Sequence, residues 1–363
     1  MMLLPTEAIG SIPRSPELMH AQRQFDEGKI DAATMEALYG EAIEQTIRAF
    51  EATGSPILSD GEQRKSHNFV TYSVEGAKNL APDGLEIPFQ DGHVRRLPRL
   101  TAGPFHFLLN AYKTFSVAKR FTALPLKQSI ISISALSLLY PAESLPNYSR
   151  EEFLNDLVDE QEREIRGCFE AGAYKVQIDF TEGRLAIKLD PSGGLLNAFI
   201  ELNNRVLVRF SEEERALIGI HTCPGADHDS THSADVDYAE LLPSLFELKA
   251  GNFYIAMAGE ANPERALKIV ARYLKPNQRA FIGVIDVIDP NIETPEEVCQ
   301  RVLLAARYIP LEQLGTTDDC GFSPFCDDVS TTRETAFAKI RARVLGTAMA
   351  AEQLTNEQGM LHE

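Results

Sequence analysis

The sequence predicts an α/β protein of the (β/α)8 barrel class, with a long insertion between the second and third strands, on three observations. Short apolar runs rich in β-branched residues alternate with longer stretches of helical spacing; eight such runs can be counted; and no Gly-x-Gly-x-x-Gly follows any of them, which sets a dinucleotide-binding open sheet aside. A chain of 363 residues, 44% hydrophobic and 24% charged, is long enough for one large barrel over residues 1–363.

The expected strands are residues 8–12, 56–60, 128–134, 175–180, 216–223, 253–258, 281–287 and 314–318. Helix starts lie between them. Ser149 followed by Glu152 is a capping-box pattern, Asn262 precedes Pro263 at a first helical position, and Thr294-Pro295-Glu296-Glu297 combines both devices. The exception to the regular spacing is the stretch between the second and third strands, with residues 76–125 as the insertion. Its composition also differs: residues 92–141 contain no Asp or Glu, yet they carry Arg95, Arg96, Arg99, Lys113, Lys119, Arg120 and Lys127. Two readings stand open, an arm that gathers an anionic substrate at the barrel mouth and a surface that pairs with acidic neighbours or a second subunit.

The whole chain has 35 basic against 53 acidic residues, a net charge of −18, which argues against nucleic acid and anionic membranes as partners. No apolar run is long enough for a membrane span, and the start does not read as a signal peptide. Five scattered cysteines make no disulfide framework, so the expected compartment is the reducing cytoplasm. Of these, Cys168 and Cys299 fall in predicted helices as packing residues, and Cys326 is an ordinary loop thiol or an alternative ligand.

In this architecture chemistry belongs at the carboxyl ends of the strands. The strands there run into Ser11, Asp60-Gly61-Glu62, Asp179, His221-Thr222-Cys223, Glu260, Asp286 and Asp319-Cys320-Gly321. His221 and Cys223 are two apart in an extended segment and face one side together. With Cys320 and Glu260 they make one imidazole, two thiolates and a carboxylate, a set that selects zinc. The carboxylate is the most replaceable of the four, so an incoming thiol could take its place, lose its proton and attack a carbon. That chemistry is alkyl transfer to sulfur. Two acids at neighbouring strand ends, Glu62 and Asp179, suit an ammonium group, and Ser11 with adjacent amides suits a carboxylate. The alternative is that both acids are structural, paired with Arg14, Arg64 or Lys65.

Several separated motifs together resemble the catalytic barrel of cobalamin-independent methionine synthases, in its short single-barrel branch. They are the opening Thr6-Glu7-Ala8-Ile9-Gly10-Ser11-Ile12-Pro13-Arg14, Ser59-Asp60-Gly61-Glu62, Val176-Gln177-Ile178-Asp179, Ile220-His221-Thr222-Cys223 and Asp319-Cys320-Gly321. The resemblance implies a zinc-dependent methyltransferase acting on homocysteine in methionine biosynthesis. It makes His221, Cys223, Glu260 and Cys320 the zinc ligands, and Ser11, Glu62 and Asp179 the groups that hold homocysteine. Asp286, closing the seventh strand, is the candidate catalytic residue.

The methyl-donor side departs from that family. No Trp follows the third strand to stack on a folate ring, since the chain contains none, and Ile288 stands where the family's His protonates the departing folate nitrogen. Phe180-Thr181 replaces the usual Glu-Pro. An amine leaves poorly without a general acid, so this side allows donors other than a folate: a corrinoid methyl, an S- or N-methyl compound or an epoxide are candidates beside it. The expected partners are therefore a small-molecule thiol and a methyl or alkyl donor, with a second copy of the chain or a donor protein as macromolecular candidates. The competing readings are zinc-dependent alkylation of another thiol by epoxide opening, as with coenzyme M; a metal-free lyase resembling uroporphyrinogen decarboxylase; and a zinc-stabilised binding barrel.

Overall fold

Six of the eight expected strands pair side by side in one all-parallel sheet. The computed structural model describes residues 4–65 and 67–360. Four short strands come first: β1 (Leu80–Ala81) pairs antiparallel with β4 (Arg99–Leu100), and β2 (Glu86–Pro88) with β3 (Val94–Arg96). The sheet proper follows as β5 (Lys127–Ile131), β6 (Lys175–Asp179), β7 (Ile218–Thr222), β8 (Asn252–Ile255), β9 (Arg279–Ile285) and β10 (Leu314–Asp318), hydrogen-bonded in that order. Apart from Arg279 every residue of these six is buried, as expected when both faces of a parallel sheet are covered.

The two remaining expected strands, 8–12 and 56–60, are extended segments that touch their neighbours at single points. Thr6 bridges Thr316 on β10, Leu58 bridges Leu126 ahead of β5, and the Ile12 amide donates to Gly61 O at 3.0 Å. Their ladders are short because the backbone turns sharply at the strand ends: Gly10 has φ 147°, and Gly61 and Glu62 have φ 72° and 56°. The third expected strand also ends early. Ser132 accepts from the Ala135 amide at 3.1 Å and starts a helix where 128–134 had been expected to stay extended.

Helices follow from caps and amphipathic spacing. α1 (Pro16–Asp26) and α2 (Ala32–Thr53) start on Ser15 and Asp31. α3 (Ala111–Ala118) precedes β5, and α4 (Ile133–Ser137) and α5 (Arg150–Glu170) follow it. The Ser149 capping box of α5 forms as its sequence required, and Cys168 packs on the buried face of that helix. Next come α6 (Glu182–Leu189), α7 (Gly194–Leu207) and α8 (Glu212–Arg215), then α9 (Tyr238–Leu245), α10 (Pro263–Tyr273) and α11 (Pro295–Ala306), the last capped by Thr294 and burying Cys299. α12 (Arg333–Met360) closes the chain and packs on α11 and α2. Among the described residues no helix is long and apolar enough to cross a membrane.

One face of the sheet carries a polar layer, since alternate residues point the same way. Lys175, Gln177 and Asp179 alternate along β6, and Lys127 lies level with Lys175 on β5. Glu7 accepts from Lys175 Nζ at 2.6 Å and from the Tyr254 hydroxyl at 2.6 Å, and Tyr254 stacks on Phe281 at 4.7 Å. Lys127, counted by the sequence among surface charges of the basic stretch, is only 3% exposed and lies 4.0 Å from the Tyr254 ring centroid. Charge at this position was readable, whereas its inward direction depended on strand phase.

Candidate metal and substrate site

At the carboxyl end of β7, the alternation that points His221 inward also points Cys223 inward, and the loop after β10 brings Cys320 to meet them. The ligand atoms of His221, Cys223 and Cys320 all lie within 4.8 Å of one another, and all three side chains are buried. The two sulfurs are 3.0 Å apart. Both ring nitrogens of His221 are buried with no hydrogen-bond partner among the described residues. A buried imidazole is ordinarily hydrogen-bonded, so two orphaned nitrogens beside two thiols fit an ion with a taste for soft donors.

The charge distribution agrees. The hydrogen bond with Cys320 holds the Cys223 thiol well below its ordinary range and pushes Cys320 up. Burial disfavours the His221 imidazolium, but the neighbouring Cys223 outweighs it and the ring is raised. Cys326 sits apart from this group beside Arg14, with its thiol pushed up by burial.

Glu260 stands outside the cluster. Its carboxylate accepts from Arg184 Nη2 at 2.7 Å, and that guanidinium lies 4.0 Å above the Tyr238 ring centroid. The turn that carries it is fixed by Asp319, which accepts from the amides of Met257, Ala258 and Gly259 at 2.7, 2.9 and 2.8 Å. Burial pushes the Asp319 carboxyl up to about 7 against those three donors. Asp286 ends β9 on the same side: a side chain at Gly259 would meet Asp286 Oδ2 at 3.4 Å and Asp319 Oδ2 at 3.6 Å. Asp286 itself accepts from the Ile288 amide at 3.0 Å.

Of the three residues expected to hold an amino acid, Ser11 and Glu62 lie at the ends of the first two extended segments and Asp179 ends β6, with β5 between Glu62 and Asp179 where neighbouring strand ends were expected. Asp179 is the register partner of His221 across β6 and β7, and burial followed by the charge of Glu62 raises its carboxyl to about 6. Glu62 accepts from Ser129 Oγ at 2.6 Å and faces Lys65 Nζ at 3.2 Å. Its backbone lies in the left-handed region, a cost a non-glycine residue bears mostly at functional positions. Ser11 Oγ accepts from the Ser323 amide at 3.3 Å, and Gly321 is packed so closely that a Cβ there would collide with that hydroxyl. Of the cations named as structural partners, Lys65 does pair with Glu62. Arg14 reaches only backbone carbonyls and the Ser323 hydroxyl, and Arg64 pairs with Glu36.

A narrow cavity adjoins the two thiols. Phe69, Ile87, Phe89, Leu97, Phe325 and His232 are among its walls, and its lining is mostly apolar. Burial holds His232 down at about 4, so its ring is neutral. Ile87 and Phe89 belong to the β2–β3 ribbon, which Arg95 fastens: it donates to Asp227 at 2.6 and 2.9 Å and to Asp327 at 3.0 Å. His93, Asp227 and His228 also approach metal-like spacing, but the Arg95 guanidinium already supplies the positive charge there. Arg96 and Arg99 pair with Glu86 and Asp83. Three arginines of the basic stretch are thus engaged by acids, as the pairing reading expected. The sequence missed Arg184, His232 and Gln177; Gln177 alone had a signal, two residues before Asp179 on one strand face.

The chain matches the family described as the catalytic domain of cobalamin-independent synthases over residues 4–344. It is 25% identical over 355 residues to a methionine synthase of Saccharolobus islandicus, covering 97% of this chain and 96% of that one. It is 24% identical over 361 residues to a methionine synthase of Sulfurisphaera tokodaii, covering 98% and 95%. Its fold is that of a B12-independent methionine synthase from Shewanella sp. W3-18-1 solved with selenomethionine, with TM-score 0.75, 18% identity, and 98% and 100% of the two chains covered.

Proposed function

Since the chain belongs to the cobalamin-independent methionine synthase family, we propose that it is a zinc-dependent methyltransferase that methylates the thiol of homocysteine. The observation that carries this reading is the buried His221–Cys223–Cys320 group with both imidazole nitrogens free. Bound by these three, zinc would supply a Lewis acid that keeps a substrate thiol ionised at neutral pH. Glu260, which rests on Arg184 outside this group, would have to leave that guanidinium to complete the set as a fourth ligand in the absence of the thiol.

The remaining residues place the amino acid. Asp179 and Glu62 present carboxylate oxygens to its ammonium, and Ser11 with the nearby amide of Ser323 receives its carboxylate. The thiolate sulfur attacks the donor's methyl carbon; the S–C bond forms as the donor's bond to that carbon breaks, with its electron pair leaving on the donor. We read the apolar cavity beside Cys223 and Cys320 as the approach for that methyl group. Asp286, the residue after β9, is the candidate catalytic acid, placed beside Gly259 and Asp319 at the strand ends. The donor need not be a folate on this reading: α4, which follows β5, carries no aromatic ring, and Ile288 offers no proton to a departing nitrogen.

The sheet, with Thr6 and Leu58 bridged to its opposite edges and Ile12 joined to Gly61, reads as a closed (β/α)8 barrel. Residues 76–125 are then an insertion covering its mouth. Five cysteines without a disulfide fit the reducing cytoplasm. The test is metal content and product together. Protein expressed with supplementary zinc is expected to hold one zinc per chain and to form methionine from homocysteine with a folate or a non-folate methyl donor, and His221→Ala or Cys320→Ser is expected to lose both. A folded wild-type protein that holds no zinc overturns the reading.

A further inference from the structure

Beneath the expected amino-acid site, the polar layer of the sheet forms one connected chain of hydrogen bonds. Lys127 Nζ donates to Gln177 Oε1 at 2.7 Å, and Gln177 Nε2 donates to Asp179 Oδ1 at 2.8 Å and to the Ile9 carbonyl at 3.1 Å. Lys127 is held from the other side by Glu7, 3.7 Å away, and by the Tyr254 ring. All of these side chains are buried.

The direction of this chain is fixed by chemistry. A primary amide has an accepting end and a donating end, and either can face a hydroxyl or a water, but an ammonium group only donates. Lys127 therefore forces the oxygen of Gln177 toward itself and the NH2 group toward Asp179. Both hydrogens of that NH2 are used, one on the carboxylate of β6 and one on the carbonyl just ahead of Gly10-Ser11. A single side chain thus sets both the orientation of Asp179 and its spacing from the segment that carries Ser11. Desolvated networks of this kind are costly when one member is missing, and the Gln177 amide is fully used here, its oxygen by Lys127 and its NH2 group by Asp179 Oδ1 and the Ile9 carbonyl.

We propose that Lys127 and Gln177 are positioning residues for amino-acid recognition: they orient Asp179 so that its second oxygen meets the substrate ammonium. This rests on the reading that homocysteine binds at Asp179. A network that merely braced the sheet would have no reason to distinguish thiols by their amino group, whereas this one should.

The test is calorimetric titration of zinc-loaded full-length protein with homocysteine and with 4-mercaptobutyrate, which has the same thiol and carboxylate and no ammonium. Gln177→Glu keeps the volume and replaces the donor facing Asp179 by a carboxylate. It is expected to weaken homocysteine binding about tenfold or more, the scale of one charge-assisted hydrogen bond, and to change 4-mercaptobutyrate binding by less than about threefold. Lys127→Met, which frees the amide to turn over, is expected to shift homocysteine in the same direction by a smaller factor. Zinc content and melting temperature, measured on each variant, identify one that has not folded, and the other variant then decides. Equal loss for both thiols, or unchanged homocysteine binding in a folded variant, overturns the assignment. A wild-type protein that binds 4-mercaptobutyrate as tightly as homocysteine removes instead the placement of the ammonium at Asp179.

Discussion

At the scale of single residues, the site depends on what stands beside each functional group as much as on the group itself. Gly321 shows this: a methyl there collides with Ser11 Oγ, so the close passage of the β10 loop over the first segment needs the missing side chain. Gly321→Ala is expected to displace the Ser11 hydroxyl and weaken homocysteine binding about tenfold, with a stability loss of about 1–3 kcal/mol, read by titration and thermal melting. Unchanged affinity would separate Ser11 from substrate binding. The sequence made His221, Cys223 and Cys320 legible because strand periodicity converts a spacing of two into a shared direction. It could not reveal that Glu260 rests on Arg184, because the two lie 76 positions apart on a loop and a helix and no local pattern joins them.

At the scale of elements, caps and alternation were legible while the basic stretch was only half so. Its sign stood in the composition, but the partners lie elsewhere in the chain: Asp227 and Asp327 follow the two cysteine-bearing strand ends, and Arg95 ties the β2–β3 ribbon to both. Asp227 is fully buried, so removal of the guanidinium leaves a carboxylate with only imidazole partners. Arg95→Ala is expected to cost about 3 kcal/mol in urea unfolding and to expose residues 86–96 to limited proteolysis, because breaking a buried pair strands its remaining charge. Arg95→Lys keeps the charge without the two-pronged geometry and should recover only part of the loss. Equal protease resistance in Arg95→Ala would show that packing of Ile87 and Phe89 alone holds the ribbon down.

At the scale of the whole molecule, two buried carboxyls outside the candidate site set a pH signature. Burial raises Glu182, which accepts from Ser132 at 2.5 Å and from Ser134, to about 7, and raises Glu164, which accepts from the Ala111 amide at 2.6 Å and the Tyr72 hydroxyl, also to about 7. A carboxyl whose pKa is higher folded than unfolded keeps its proton better in the folded chain. Its stabilising contribution is therefore complete below about 4.5 and is lost as pH climbs through about 7, by about 3 kcal/mol for each group. Glu182→Gln is expected to flatten the fall in urea midpoint between pH 5.5 and 8, compared with wild type. An identical pH slope in the two proteins would place the proton elsewhere.

The bridge between Thr6 and Thr316 has a consequence for the order of assembly. The first segment of the chain, which carries Ser11, gains its β10 neighbour only when the last strand has been made, and Cys320 arrives with that same strand. Contacts so distant in sequence are entropically slow to form, so they come late in folding. During synthesis, His221 and Cys223 leave the ribosome about a hundred residues before Cys320, and at five to twenty residues per second that is an interval of roughly five to twenty seconds. Throughout that time His221 and Cys223 are present without Cys320, the third member of their group. The buried His221–Cys223–Cys320 group therefore cannot assemble until β10 is in place, which puts its completion at the end of folding.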